Sequence, residues 1–337
     1  MNKITLAALA LIFVQAAAAQ SAQSYTLTAL GVVPDGLYSD PYAINDQGAV
    51  AGTASLLDGH QHAFVWTKNK GARDLGTLVG HNAYSTARGI NNSGQVVGLS
   101  YLSDLTTYRA FLYTHQDGMQ DLGTLGGNSS AAYGINNTGQ VVGEADLSSI
   151  SSHAFLWTAS AGMKDLGSLG GNTSAAYGIN EAGDIVGFSY LRDNFTVHAF
   201  LWTEAAGMQD LGDFNGDGSI ANAINASGQI VGIGYLRPDQ EGLIAALWTS
   251  THKMQGLGTA TVSDALGIND SGQIVGYYGA AAFLWTAANR LQDLNTLIPP
   301  NSGWTLLGAA AINRSGQIAV SGIVGIKFHG ALLSPVN

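Results

Sequence analysis

The sequence predicts an all-β protein, a seven-bladed β-propeller of four-stranded blades whose last blade is closed by the N-terminal strand. Three observations predict it. The dipeptide Ile-Asn recurs at Ile44, Ile90, Ile135, Ile179, Ile224, Ile268 and Ile312, at spacings of 44 to 46 residues. Each copy is followed by a glycine turn, a Gly-Gln-Val-Val-Gly-like run, a His-Ala-Phe-Leu-Trp-like run and an Asp-Leu-Gly-like run. A fixed period in the forties carrying four short β-like segments is the pattern of a propeller blade. Finally, the last copy stops after its third segment, His329 to Leu333, while Ala29-Leu30-Gly31 near the N-terminus aligns with the missing fourth. The first strand is therefore expected to complete the last blade and cover its open edge.

In chain order, the first element is a leader. Lys3 is the sole charge before the apolar stretch Ile4 to Val14, and Ala17-Ala18-Ala19 supplies a small-residue cleavage site, so residues 1–19 read as a signal peptide. The apolar run is shorter than the roughly 20 residues a membrane span needs. Residues 20–337 then form a single propeller domain, secreted to the periplasm or the medium. No cysteine is present, so stability there must come from burial and not from disulfides.

The unit beginning at Ala176 shows how each blade is built. Ala-Tyr-Gly-Ile-Asn leads into Glu181-Ala182-Gly183, and an Asn-x-x-Gly spacing suits a type I turn with glycine in the left-handed position. The third segment, His198-Ala199-Phe200-Leu201-Trp202, is apolar on both faces, as for a strand between neighbouring sheets. The shorter, more polar Met208-Gln209-Asp210-Leu211-Gly212 reads as the outer edge strand. Small residues crowd the first segment (Ala87 and Gly89, Ala132 and Gly134, Ala176 and Gly178, Ala265 and Gly267), as expected nearest a central axis.

Composition narrows the function. Only 11% of residues are charged, the formal net charge is −10, and 45 residues are glycine. A nucleic-acid partner is not expected because it would need a basic footprint, and a monomer with a sparsely charged, polar, turn-rich surface is expected.

Residues 134 to 143, then His153-Ala154-Phe155-Leu156-Trp157 and Gly162-Met163-Lys164-Asp165-Leu166-Gly167, resemble the bacterial extracellular repeat family called HAF after its His-Ala-Phe triplet. The resemblance covers almost all of residues 25 to 333. It implies export and a repeat fold, and carries no established activity. Some units depart from it: Arg109 and Ala281 replace the histidine, Ala245-Ala246 replaces His-Ala, and Gly256 and Asn295 break the Asp-Leu-Gly phrase.

The triplet histidines His62, His153, His198 and His329 lie on successive sheets about 10 Å apart, too far to share an ion bound at about 2 Å. They are expected to be half-buried and hydrogen-bonded to a neighbouring loop, with the repeated Asp74, Asp121, Asp165, Asp210 and Asp293 in a similar role. No His-Glu-x-x-His, nucleophile elbow or phosphate loop is present. One loop does point to a metal. Asp213, Asn215, Asp217 and Ser219, with Gly218 at the sixth position, follow a calcium-loop spacing that resembles the loops of FG-GAP propeller repeats. Ala221 stands where those loops place an acid, so weak calcium binding is the expectation, an ordinary turn the alternative.

The second candidate is a ligand site. Two residues before each anchoring isoleucine stand Tyr42, Arg88, Tyr133, Tyr177, Asn222, Leu266 and Ala310, in otherwise uniform surroundings. The loops joining second and third strands add Tyr190, Arg192, Tyr235 and Arg237. Tyrosine, arginine and amide groups suit a glycan or another polar partner through stacking and directed hydrogen bonds. The expected function is a non-catalytic binding scaffold for an extracellular polysaccharide or a cell-surface protein. A propeller hydrolase or lyase acting on extracellular polysaccharide is the alternative, favoured if acids cluster at the channel mouth.

Overall fold

A computed structural model describes residues 24–214, 218–236, 242–249, 253–258 and 262–336. The expected leader and Asn215, Asp217 and Arg237 lie outside the described residues. The described residues form β-strands and one 3-10 turn at Leu294–Thr296. Strand β1 is Tyr25–Ala29; β2 to β5 are Gly36–Ile44, Val50–Leu56, Gln61–Thr67 and Gly71–Asp74. Next, β6 to β9 are Ser85–Ile90, Val96–Tyr101, Tyr108–Thr114 and Gly118–Asp121, and β10 to β13 are Ser130–Ile135, Val141–Ser148, Ser151–Thr158 and Gly162–Asp165. They are followed by β14 to β17, Gly170–Ile179, Ile185–Leu191, Val197–Thr203 and Gly207–Asp210, and β18 to β21, Ser219–Ile224, Ile230–Tyr235, Leu243–Trp248 and Met254–Gly256. Last come β22 to β25, Ser263–Ile268, Ile274–Tyr278, Ala281–Thr286 and Arg290–Asp293, and β26 to β28, Trp304–Ile312, Ile318–Val324 and Lys327–Pro335.

The expectation of seven separate four-stranded blades is corrected by the sheet pairing. Five sheets are four-stranded, and the third and fourth repeat units join into one eight-stranded sheet. The cause is local. A tight turn at Ser149-Ile150 lets β11 and β12 run on to Ser148 and Ser151, and Ser152 then pairs in parallel with Thr173 of the early-starting β14. Among the described residues no such parallel pair joins the other units.

Within each sheet the chain steps outward from the first strand to the fourth. First strands contact one another in sequence, and β2 meets β26, which closes the ring. Close approach here explains the small residues: a Cβ on Gly134 would sit 3.0 Å from the Tyr177 carbonyl oxygen of the next unit. Strand β1 pairs antiparallel with β28, Tyr25 opposite Pro335 and Ala29 opposite Ala331. The N-terminal strand thus supplies the outer strand that the last unit lacks.

At the foot of each first strand the asparagine makes the predicted turn. In the first unit Asn45 Oδ1 accepts from the backbone N–H of Gln47 and Ala49, and Gly48 takes a φ of 75°. Its Nδ2 donates to the Asn91 carbonyl, Asn91 to Asn136, and so on through Asn180, Asn225, Asn269 and Asn313. Asn313 donates to Asn45 at 3.0 Å, so the chain of bonds returns to its start.

Between sheets, the phenylalanines of the third strands are sealed from solvent: Phe64, Phe111, Phe155, Phe200 and Phe283. Each such burial contributes about 2 kcal/mol. A buried serine at the start of the first strand stitches adjacent units. Ser130 Oγ donates to the Gly123 carbonyl and accepts from the Ala110 N–H, and Ser85, Ser174 and Ser219 repeat the pattern.

Candidate functional site in the axial mouth

Every first strand carries a β-bulge, and the bulged residue is the one that varies between units. Register slips between Pro41 and Ala43, Ala87 and Gly89, Ala132 and Gly134, Ala176 and Gly178, Ala221 and Ala223, Ala265 and Gly267, and Ala309 and Ala311. The residues skipped are Tyr42, Arg88, Tyr133, Tyr177, Asn222, Leu266 and Ala310. A bulge re-aims the side chain it carries, and here it turns each one toward the axis. The partner strand permits this because it offers a glycine: a Cβ on Gly143 would collide with the Ala131 carbonyl oxygen, which the bulge pushes inward. Gly52, Gly98, Gly187, Gly232 and Gly276 meet a carbonyl oxygen in the same way, so this glycine is the steric condition for the bulge in six units, whereas Val320 stands there in the seventh.

These side chains line one depression of about 320 Å³, floored by Ile268 and Ile312. Beyond that floor lies the asparagine ring with its own cavity of about 230 Å³. A second, contiguous hollow of about 430 Å³ shares Arg88, Tyr133, Tyr177 and Asn222 and adds Ile220, Ile233 and Asp264. Tyr133 and Tyr177 meet edge to face, ring centres 5.1 Å apart, and the Arg88 guanidinium lies 4.3 Å over the Tyr42 ring.

Three carboxylates that the sequence did not single out complete the mouth. Tyr42 donates to Asp40 at 3.1 Å, Tyr133 donates to Glu144 at 2.7 Å, and Asn222 donates to Asp264 at 2.7 Å. Burial raises all three pKa values: Asp264 to about 6, with the Asn222 bond opposing, and Asp40 and Glu144 in the same direction against their tyrosine partners. Burial likewise pushes the Tyr42 and Tyr177 hydroxyls up to about 12, and burial together with the Glu144 charge raises Tyr133 further still. All remain neutral donors at physiological pH. One signal could have found these acids. Asp40 and Asp264 share the position four before the anchoring isoleucine, and Glu144 stands just after its unit's glycine. Strand register places the two positions opposite one another, as in Ala131 with Glu144 and Asp264 with Tyr277.

The loop candidates divide. Tyr190 meets Phe188 edge to face, and Phe188 in turn meets Tyr177, so this aromatic chain leads down to the mouth. Burial raises the Tyr235 hydroxyl's pKa, with Tyr190 and Asp264 adding to the effect. Arg192 lies instead across Gly170, the first residue of β14. Of the calcium-loop residues, Asp213 places an oxygen 3.2 Å from His198 Nε2, and Ser219 is the buried stitching serine of its unit.

The triplet histidines pair with the repeated aspartates across strands: His62 with Asp74, His153 with Asp165 and His198 with Asp210, at 2.8 to 2.9 Å. His62 Nε2 also faces the His81 carbonyl of the neighbouring loop. In the last unit Ala29 stands opposite Ala331, where other units place the aspartate opposite the phenylalanine, because β1 serves as its outer strand, so His329 has no such aspartate. Burial and Lys327 lower its pKa.

No protein-family model and no curated protein matches the chain. Solved structures do. The β-propeller domain of the Trilobed protease from Pyrococcus furiosus aligns with a TM-score of 0.57 at 9% identity, over 90% of this chain and 95% of that one. The extracellular domain of a one-component system from B. thetaiotaomicron aligns at 0.56 and 10% identity, over 93% of this chain and 40% of that one. A puromycin-hydrolyzing peptidase of Mycobacterium tuberculosis aligns at 0.55 and 10% identity, over 89% and 52%. The chain thus spans about half or less of the last two. At such identities the likeness establishes the propeller fold alone.

Proposed function

We propose that this chain is an exported binding propeller, of the HAF-repeat kind its motifs resemble, which takes a neutral, hydroxyl-rich extracellular polysaccharide in the axial mouth. The observation that carries this reading is the convergence of the bulge residues. The same backbone device recurs in every unit, yet Tyr42, Arg88, Tyr133, Tyr177 and Asn222 occupy one arc while Leu266 and Ala310 occupy the rest. Packing alone would not require such asymmetry. Tyrosine faces suit the apolar faces of sugar rings, and the arginine and amide groups suit their hydroxyls. Asp40, Glu144 and Asp264 each accept a bond from one member of the arc, so they support its orientation.

A second reading is enzymatic. Glycoside cleavage uses two carboxyl groups, one with a raised pKa, and the mouth contains Asp264 and, against Tyr133, Glu144. Glycan-array binding followed by incubation with the best ligand separates the two. Retention of an intact ligand is expected. Release of new reducing ends by the parent and not by Asp264→Asn would establish the hydrolase instead, and failure to bind any glycan would remove the polysaccharide assignment.

A further inference from the structure

The first repeat unit differs from the others in a way the axial mouth does not use. Its His-Ala-Phe histidine, His62, is fully buried in β4, and Nδ1 lies 2.9 Å from Asp74 at the end of β5. The following loop then brings in a second imidazole, His81, whose ring centre is 5.4 Å from that of His62. One ligand atom from each of His62, Asp74 and His81 can be chosen so that all lie within 4.8 Å of one another. We propose that these three residues form a site for a divalent cation of the zinc class.

The donor set fits that chemistry. Two imidazole nitrogens and a carboxylate oxygen bind zinc at about 2.0 to 2.2 Å, and three protein ligands leave a fourth position for water. Donors around a tetrahedral ion stand about 3.4 Å apart at such bond lengths, so closure requires movement of about 1 Å. The exposed His81 ring can supply it. Outer contacts already orient the ligands, as metal sites require: His62 Nε2 faces the His81 carbonyl, and Asp74 accepts from the Gly76 N–H at 2.7 Å.

Comparison within the chain shows that His81 is not a demand of the fold. In the second unit the Arg109 guanidinium donates to the Asn128 carbonyl, as His62 faces the His81 carbonyl. Asn128 is therefore the counterpart of His81, and the loop from Asp74 to Ser85 is two residues longer than that from Asp121 to Ser130. The extra length and the imidazole occur together. Imidazole and carboxylate bind a cation only when deprotonated, so affinity must fall at acidic pH.

The test is isothermal titration of untagged protein with zinc chloride at pH 7.5, beside His81→Asn, the side chain of the next unit, and His153→Gln as control. One equivalent should bind, with at least tenfold weaker affinity in His81→Asn, unchanged affinity in His153→Gln, and loss of affinity by pH 5.5. Melting curves without metal should match for the parent and His81→Asn, which separates loss of a ligand from loss of fold. Absence of binding to the parent, or binding by His81→Asn equal to the parent's, would overturn the proposal.

Discussion

The Tyr133 hydroxyl donates to Glu144 at 2.7 Å across the innermost strand pair. The bond exists because Tyr133 is the bulged residue between Ala132 and Gly134, so its ring points along the channel and its hydroxyl reaches the residue that follows Gly143. Glu144 is half-buried and its pKa raised by desolvation, so Tyr133 is the donor that makes its charge tolerable. Tyr133→Phe should therefore cost about 1 to 3 kcal/mol at pH 7, the usual penalty for a buried acceptor left without its donor. The loss should shrink in acid, once Glu144 takes a proton, at a higher pH than an ordinary glutamate would. Urea denaturation at the two pH values checks it, and an equal loss at both would show that the ring's packing, and not the hydroxyl, matters.

Asp264 contributes to the pH dependence of stability with a definite sign. Its carboxyl has a pKa of about 6 in the folded chain against an ordinary 3.8, through burial. The folded state then binds this proton more tightly than the unfolded one, so the contribution of Asp264 falls as pH rises from about 4 to above 6. The full difference is worth up to about 3 kcal/mol. Asp264→Asn, which keeps an oxygen for the Asn222 donor, should raise the melting temperature at pH 7 and flatten its pH profile. A melting temperature unchanged by this substitution at pH 7 would mean that water reaches the carboxylate.

Closure rests on β1. Tyr25, Leu30 and Val33 are buried, Ser39 donates to the Gly31 carbonyl, and Val336 donates to Ser24. Removing residues up to Val33 should expose the edge of β28, lower the melting temperature by well over 10 °C and promote association of chains. Light scattering and calorimetry check this. A truncated chain that stays monomeric and melts like the parent would show that β1 does not hold the ring shut.

Much of this architecture is legible in the repeat, for a physical reason. A strand order of one to four, the Asn-x-x-Gly turn and the closing strand each depend on residues close in sequence or on the fixed period. The bulge column was visible as variation at one position, Tyr42 through Ala310. What escaped depends on register between strands. Asp40, Glu144 and Asp264 are unremarkable in their own segments and become neighbours of the tyrosines only through cross-strand pairing. The eight-stranded sheet likewise hangs on one parallel pair, Ser152 with Thr173, set by the length of a single hairpin. Ser219, a candidate calcium ligand by its place in a row of oxygen-bearing residues, also donates to the Gly212 carbonyl as Ser85, Ser130 and Ser174 donate in their units, a role set by the repeat and not by its own loop.

Ligand binding at the bulge residues is tested most directly by titrating the best glycan from an array into the parent, Tyr133→Ala, Tyr177→Ala and Leu266→Ala. Loss of an aromatic contact at a binding hot spot costs about 2 kcal/mol, or about 30-fold in affinity. Both tyrosine variants should weaken by about that factor, while Leu266→Ala changes stability more than affinity. Equal affinity in all four proteins, with the tyrosine variants destabilised, would contradict a ligand site at the axial mouth.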